Sequence, residues 1–178
     1  MKRYVALLRG INVGGFHKLP MVELRNEFAS LGYKNIVTLL NTGNVLLDGP
    51  DSRVHVLEQD ISTHLERKFG FHIPVMLRTK EEFLRCYRLN PYHAMEETSN
   101  IKLYVSFLHE KQAGEITLPW KSDDQALEIL SFTGWEVYST VDLGVTKTVK
   151  AMAILEQLFG KGITTRNWNS VKRIAEKL

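Results

Sequence analysis

A single cysteine, Cys86, excludes an internal disulfide framework and a cysteine-rich zinc site. No apolar run approaches the roughly 20 residues that span a bilayer. The stretch Tyr4–Leu8, after Lys2 and Arg3, stops at Arg9 and is shorter than the roughly 7–15 apolar residues of a secretory signal. No run of five like charges marks a nucleic-acid or membrane tail. The six histidines, at 17, 55, 64, 72, 93 and 109, form no HExxH pair and no cluster with carboxylates, so no metal or other cofactor is expected. There is no Gly-x-Ser-x-Gly nucleophile elbow. These absences predict a cytoplasmic protein that neither spans nor sits on a membrane.

What is present is ordinary globular material, with 44% apolar and 24% charged residues among 178. A folded chain of this mass exposes roughly 9,000 of the roughly 30,000 Å² of its unfolded form, so a sizeable core is available. The net charge of +3 is uneven. Residues 1–90 hold 13 Lys+Arg against 9 Asp+Glu, and residues 91–178 hold 10 against 11. The excess is scattered rather than clustered, which argues against nucleic acid as the partner.

Tyr4–Arg9 reads as a buried strand, and Gly10–Leu19, with three glycines and an asparagine, as a loop. Pro20 opens a helix with apolar Met21, Leu24, Phe28 and Leu31, closed by Gly32. Asn35–Leu40 and Val45–Asp48 flank Asn41-Thr42-Gly43-Asn44 as a hairpin. Ser52 is placed to cap a second helix with the stripe Val54, Leu57, Ile61, Leu65 and Phe69, ending at Gly70. Ile73–Leu77 is a strand that Pro74, lacking a donor, assigns to a sheet edge. Thr79–Glu82 starts a linking helix with a capping box, and 91–100 is a polar connector.

The remainder repeats the order. It has a strand at Ile101–Leu108, a short helix over Glu110–Ile116 and a hairpin through Thr133-Gly134. A helix follows with Val149, Met152, Leu155 and Phe159, then an extended piece near Ile163–Thr165 and a final helix. The fold class predicted is α+β, two ferredoxin-like βαββαβ halves at 1–79 and 101–178 with 80–100 linking them. Element order alone, without amino-acid identity, supports the repeat.

Three blocks, Tyr4–Gly15 (YVALLRGINVGG), Thr42–Val45 (TGNV) and Thr165–Val171 (TRNWNSV), resemble a bacterial family of proteins of unknown function across essentially the whole chain. Thr42, Leu47 and Ser170 stand where the family pattern has serine, phenylalanine and threonine, swaps that keep hydroxyl or apolar character. The resemblance implies the two ferredoxin-like halves and no established activity.

The candidate ligand-binding residues are the glycine, asparagine and basic positions of the loops. Arg9, Asn12, Gly14 and Gly15 lie after the first strand, where glycines let backbone N–H groups approach an anion. The run is neither a phosphate-binding P-loop nor a dinucleotide fingerprint, and the helix beginning near Pro20 starts too late for its own N-terminus to hold a phosphate. Asn41 and Asn44 lie in a hairpin, expected at the opposite end of the half from that loop. Lys147 precedes a helix. Arg166, Asn167 and Trp168 precede the last one, where an asparagine would cap it or the indole would stack a base. Each set has a plain structural reading as turn, cap or core. The leading functional expectation is binding of a phosphate-bearing small molecule or nucleotide, with Arg9 and Arg166 lining one surface. The rivals are an RNA-binding module, suggested by Leu103-Tyr104-Val105 as an aromatic-bearing first strand of the second half, and an interaction module without chemistry. No catalytic residue is indicated, and oligomeric state is not legible.

Overall fold

The computed structural model describes residues 1–178 apart from Phe16, Glu96, Glu97 and Glu115. It divides into two compact units, Met1–Tyr87 with Arg173–Leu178, and Arg88–Lys172.

The first unit runs β1 (Lys2–Leu8), α1 (Met21–Ser30), β2 (Lys34–Leu39), β3 (Asn44–Gly49), α2 (Val54–Phe69), β4 (Val75–Thr79), α3 (from Lys80). Its antiparallel sheet has the order β2-β3-β1-β4, the ferredoxin-like arrangement. Alternation decides what each strand buries. Tyr4, Ala6 and Leu8 of β1 join Val45, Leu47, Val75 and Leu77 in a core with Leu24 and Phe28 of α1 and Leu57, Ile61 and Leu65 of α2. Each valine, leucine, isoleucine or phenylalanine among them contributes about 1.5–3 kcal/mol on burial. β4 is an edge strand, as expected, but it runs from Val75 rather than Ile73, so Pro74 precedes the ladder and does not itself force the edge position. Its outer side is covered by α2, where Glu58 accepts from the Leu77 N–H at 2.7 Å and Ser62 donates to the Ile73 carbonyl at 2.8 Å. The expected cap at Ser52 is not made, because α2 starts at Val54 with Arg53 at the cap position and no side-chain cap bond. The capping box at Thr79 and Glu82 is formed.

The second unit runs β5 (Ile101–Leu108), β6 (Trp120–Lys121), β7 (Leu127–Phe132), β8 (Glu136–Asp142), α4 (Thr148–Phe159), β9 (Ile163–Asn167) and the start of α5 (Trp168–Ala175). Its sheet order is β6-β7-β8-β5-β9, so β7, β8, β5 and β9 repeat the first unit's order. Leu108, Leu127, Ile129, Val137 and Val141 pack with Ala151, Leu155 and Phe159 of α4. The helix expected over Glu110–Ile116 is absent among the described residues. Ile116 is the one aliphatic residue of that segment larger than alanine, so there is no apolar stripe to seat a helix. Glu115 of that segment, and Glu96 and Glu97 of the polar connector, lie outside the described residues.

Strand register reveals an amino-acid repeat that element order alone did not. Tyr4, Val5 and Leu8 pair with Thr79, Arg78 and Val75. Tyr104, Val105 and Leu108 pair with Asn167, Arg166 and Ile163. Lys2, Tyr4, Val5 and Leu8 thus recur as Lys102, Tyr104, Val105 and Leu108, and Arg78 recurs as Arg166. Both arginines are buried and donate at 3.0 Å to the carbonyl of the residue before them.

Candidate functional site

The loop after β1 owes its shape to residues that tolerate left-handed backbone. Gly10, Asn12, Gly14 and Gly15 have φ of 73°, 55°, 60° and 81°. Asn12 is the staple. Its amide nitrogen donates to the carbonyls of Leu19 (3.0 Å) and Asn41 (2.9 Å), and its amide oxygen accepts from the Leu19 N–H (2.8 Å). The Arg9 N–H donates to the Pro74 carbonyl at 3.0 Å, tying the loop's start to the lead into β4.

Loop and hairpin therefore meet, contrary to the expectation that they lie at opposite ends. β1 and β3 are antiparallel with Leu7 opposite Asn44, so the hairpin that opens β3 stands beside the end of β1. The Leu8 N–H donates to the Gly43 carbonyl at 2.8 Å. Asn12, Gly15 and Lys18 from the loop, Pro20 and Met21 from the start of α1, and Asn41 from the hairpin wall a depression of about 440 Å³ over buried Leu19. The start of α1 thus lines the same depression as the loop, which Asn12 folds back onto Leu19. No side chain caps that helix start, and its first N–H groups have no intrahelical partner. Glu23 stands in the same first turn.

The other sequence candidates are placed as follows. Asn44 is fully buried, its amide donating to the Leu39 carbonyl (3.1 Å) and Thr42 Oγ1 (3.0 Å) within the hairpin. Lys147, Arg166, Asn167 and Trp168 belong to the second unit. Lys147 is exposed at the start of α4. Arg166 lies on β9, where burial lowers its guanidinium pKa to about 10, and it donates to Thr164 Oγ1 at 3.0 Å. Asn167 caps α5 by accepting from the Ser170 N–H at 2.8 Å. Trp168 is buried, edge-on to Tyr92. On the central strands of the second sheet Tyr138 is fully buried and Tyr104 partly so, which leaves no open aromatic platform on those two residues.

His17 is a residue that sequence spacing passed over. Its Nδ1 lies 3.1 Å from the Gly10 carbonyl oxygen, and its ring stacks on Phe71 with centroids 4.2 Å apart and planes 8° apart. Only its place inside a glycine-rich loop signalled it. At the far end of α1, Glu27 contacts His64 Nε2 (2.8 Å) and Lys68 Nζ (3.1 Å), which together hold its carboxyl pKa below the ordinary value. Among the described residues no three metal-ligating side chains cluster, and no helix is long and apolar enough to cross a membrane.

A conserved bacterial protein from Streptococcus pneumoniae has a similar structure, with a TM-score of 0.68, 23% identity, and 98% of this chain and 97% of that one covered. At that identity the likeness shows the fold. A comparison with curated proteins gives no significant match. The family model described as a protein of unknown function, DUF1697, matches residues 1–138, so the chain belongs to that family.

Proposed function

We propose that the first unit binds the phosphate of a small phosphorylated molecule or nucleotide in the depression between the loop after β1 and the β2–β3 hairpin. The observation that carries this reading is the convergence of three donor types on one concavity. They are the Lys18 ammonium, the glycine-flanked backbone at Gly15, and the uncapped start of α1 from Met21 onward. A phosphate accepts from all three, and the helix dipole adds to the attraction. Asn12 holds loop and hairpin together before a ligand arrives, which lowers the ordering cost of binding. Buried Leu19 and half-buried Met21 provide apolar surface for the rest of a ligand.

Melting curves with inorganic pyrophosphate and a nucleotide series test this. At a hundredfold excess over Kd a ligand adds about 2.7 kcal/mol of stability. For a chain of this size that raises Tm by roughly 5–10 °C. An unmoved Tm across the series overturns the reading.

A further inference from the structure

We propose that the second unit carries a ligand site of its own, which takes a free α-amino acid with an apolar side chain. This site is independent of the phosphate-binding reading above. The repeat points to its place. Leu108 ends β5 as Leu8 ends β1, and Gln112 follows Leu108 at the same spacing as Asn12 follows Leu8. The clasp between loop and hairpin recurs with them. The Leu108 N–H donates to the Trp135 carbonyl at 2.8 Å, as the Leu8 N–H does to the Gly43 carbonyl. The Gln112 N–H donates to the Gly134 carbonyl at 2.9 Å, which holds the loop after β5 to the turn that leads into β8. The Gln112 side chain reaches the other way, its Nε2 donating at 2.7 Å to the Phe159 carbonyl at the end of α4.

The clasped loop walls a cavity of about 300 Å³. Buried Leu108 and Phe159 line it with apolar surface, and exposed His109, Glu110 and Lys111 supply its polar groups. Its electrostatics differ from those of the first unit's depression. The depression meets the start of α1, where the helix dipole attracts an anion. The cavity meets the end of α4, whose last carbonyls lack intrahelical partners and carry partial negative charge. No basic residue stands in the last turn of α4 to offset that charge. A phosphate is disfavoured there and an ammonium is favoured. Glu110 adds a full negative charge on the same wall, and Lys111 beside it adds a positive one. Among the described residues neither side chain makes an ion pair or hydrogen bond. Their charges cancel, so the matching ligand is a zwitterion. Its ammonium pairs with Glu110 and the α4 carbonyls, its carboxylate with Lys111, and its side chain lies on Leu108 and Phe159. A volume at the lower end of the roughly 300–1,000 Å³ of ligand pockets suits one amino acid rather than a nucleotide.

The test is calorimetric titration of the full chain with L-leucine and L-phenylalanine, each beside its N-acetyl form, which lacks the ammonium, and its amide, which lacks the carboxylate. The expected result is saturable 1:1 binding of at least one of the two amino acids, with both of its blocked forms roughly tenfold weaker or worse. Glu110→Gln and Lys111→Gln change exposed side chains, so both variants keep the fold. Each should weaken binding of the free amino acid by roughly tenfold. Backbone amide resonances should shift on titration at 108–112 and 159–162, and not at Asn12 or Lys18. No heat from either amino acid, undiminished binding of the blocked forms, undiminished binding by both variants, or shifts confined to residues outside the cavity would overturn the proposal. Pyrophosphate binding is read at Lys18, so either site can fail without the other.

Discussion

Gly43 sits where a side chain has no room. A Cβ there would lie 2.9 Å from Leu8 Cβ and from Ile11 Cδ1, at a φ of +76°. Gly43→Ala should therefore cost roughly 2–4 kcal/mol, combining left-handed strain with overpacking, measured as a lower urea midpoint. The Asn-Thr-Gly-Asn turn was legible in sequence; its contact with the loop was not, since Leu8 and Gly43 meet only through the β1–β3 register. Glu23 is the residue that opposes a phosphate at the start of α1. Glu23→Gln should tighten pyrophosphate binding by a few-fold at low salt, the size of one screened charge at a helix N-terminus. Unchanged or weaker affinity in a calorimetric titration would place the anion elsewhere.

At the scale of elements, α1 and α2 are joined by an ionic link that titrates. Glu27 accepts from His64 and then from Lys68, and both lower its pKa from 4.5. A carboxyl whose folded pKa is depressed contributes stability above its unfolded pKa and loses it as pH falls through the folded value. The urea midpoint should therefore fall with acidification from about pH 5 downward, and Glu27→Gln should flatten that part of the profile. A profile unchanged by the substitution would contradict the link. The helices and the capping box were readable because each has a local cause, a 3.6-residue apolar stripe and a Thr-x-x-Glu spacing, whereas the edge position of β4 was inferred from a proline that lies just before the strand. The segment after β5 was misread because its polar residues permit a helix but give it no face to bury.

For the whole molecule, the repeat was visible as element order and also, unrecognised, as residues. Lys2, Tyr4, Val5 and Leu8 return at 102, 104, 105 and 108, and Arg78 returns at 166. Scattered single identities become meaningful only once strand pairing sets the alignment. The same dependence hid the candidate site, whose walls come from a loop that runs straight into a helix start and from a hairpin some twenty residues further along the sequence. The scattered net charge of +3 makes a further prediction at this scale. Single-stranded RNA should show no binding above background at about 50 mM salt, and hence no steep weakening toward about 200 mM. Salt-sensitive binding would favour an RNA module.

The account turns on one titration, inorganic pyrophosphate into the wild-type chain and into Lys18→Ala, followed by calorimetry. Lys18 is exposed on the rim of the depression, so its removal should change the stability of the ligand-free chain by no more than the roughly ±0.5 kcal/mol of an ordinary surface substitution. The account predicts saturable 1:1 binding by the wild type and at least about tenfold weaker binding by the variant, the loss of one charge-assisted hydrogen bond. Equal affinity in the two chains, or no heat from either, would contradict it.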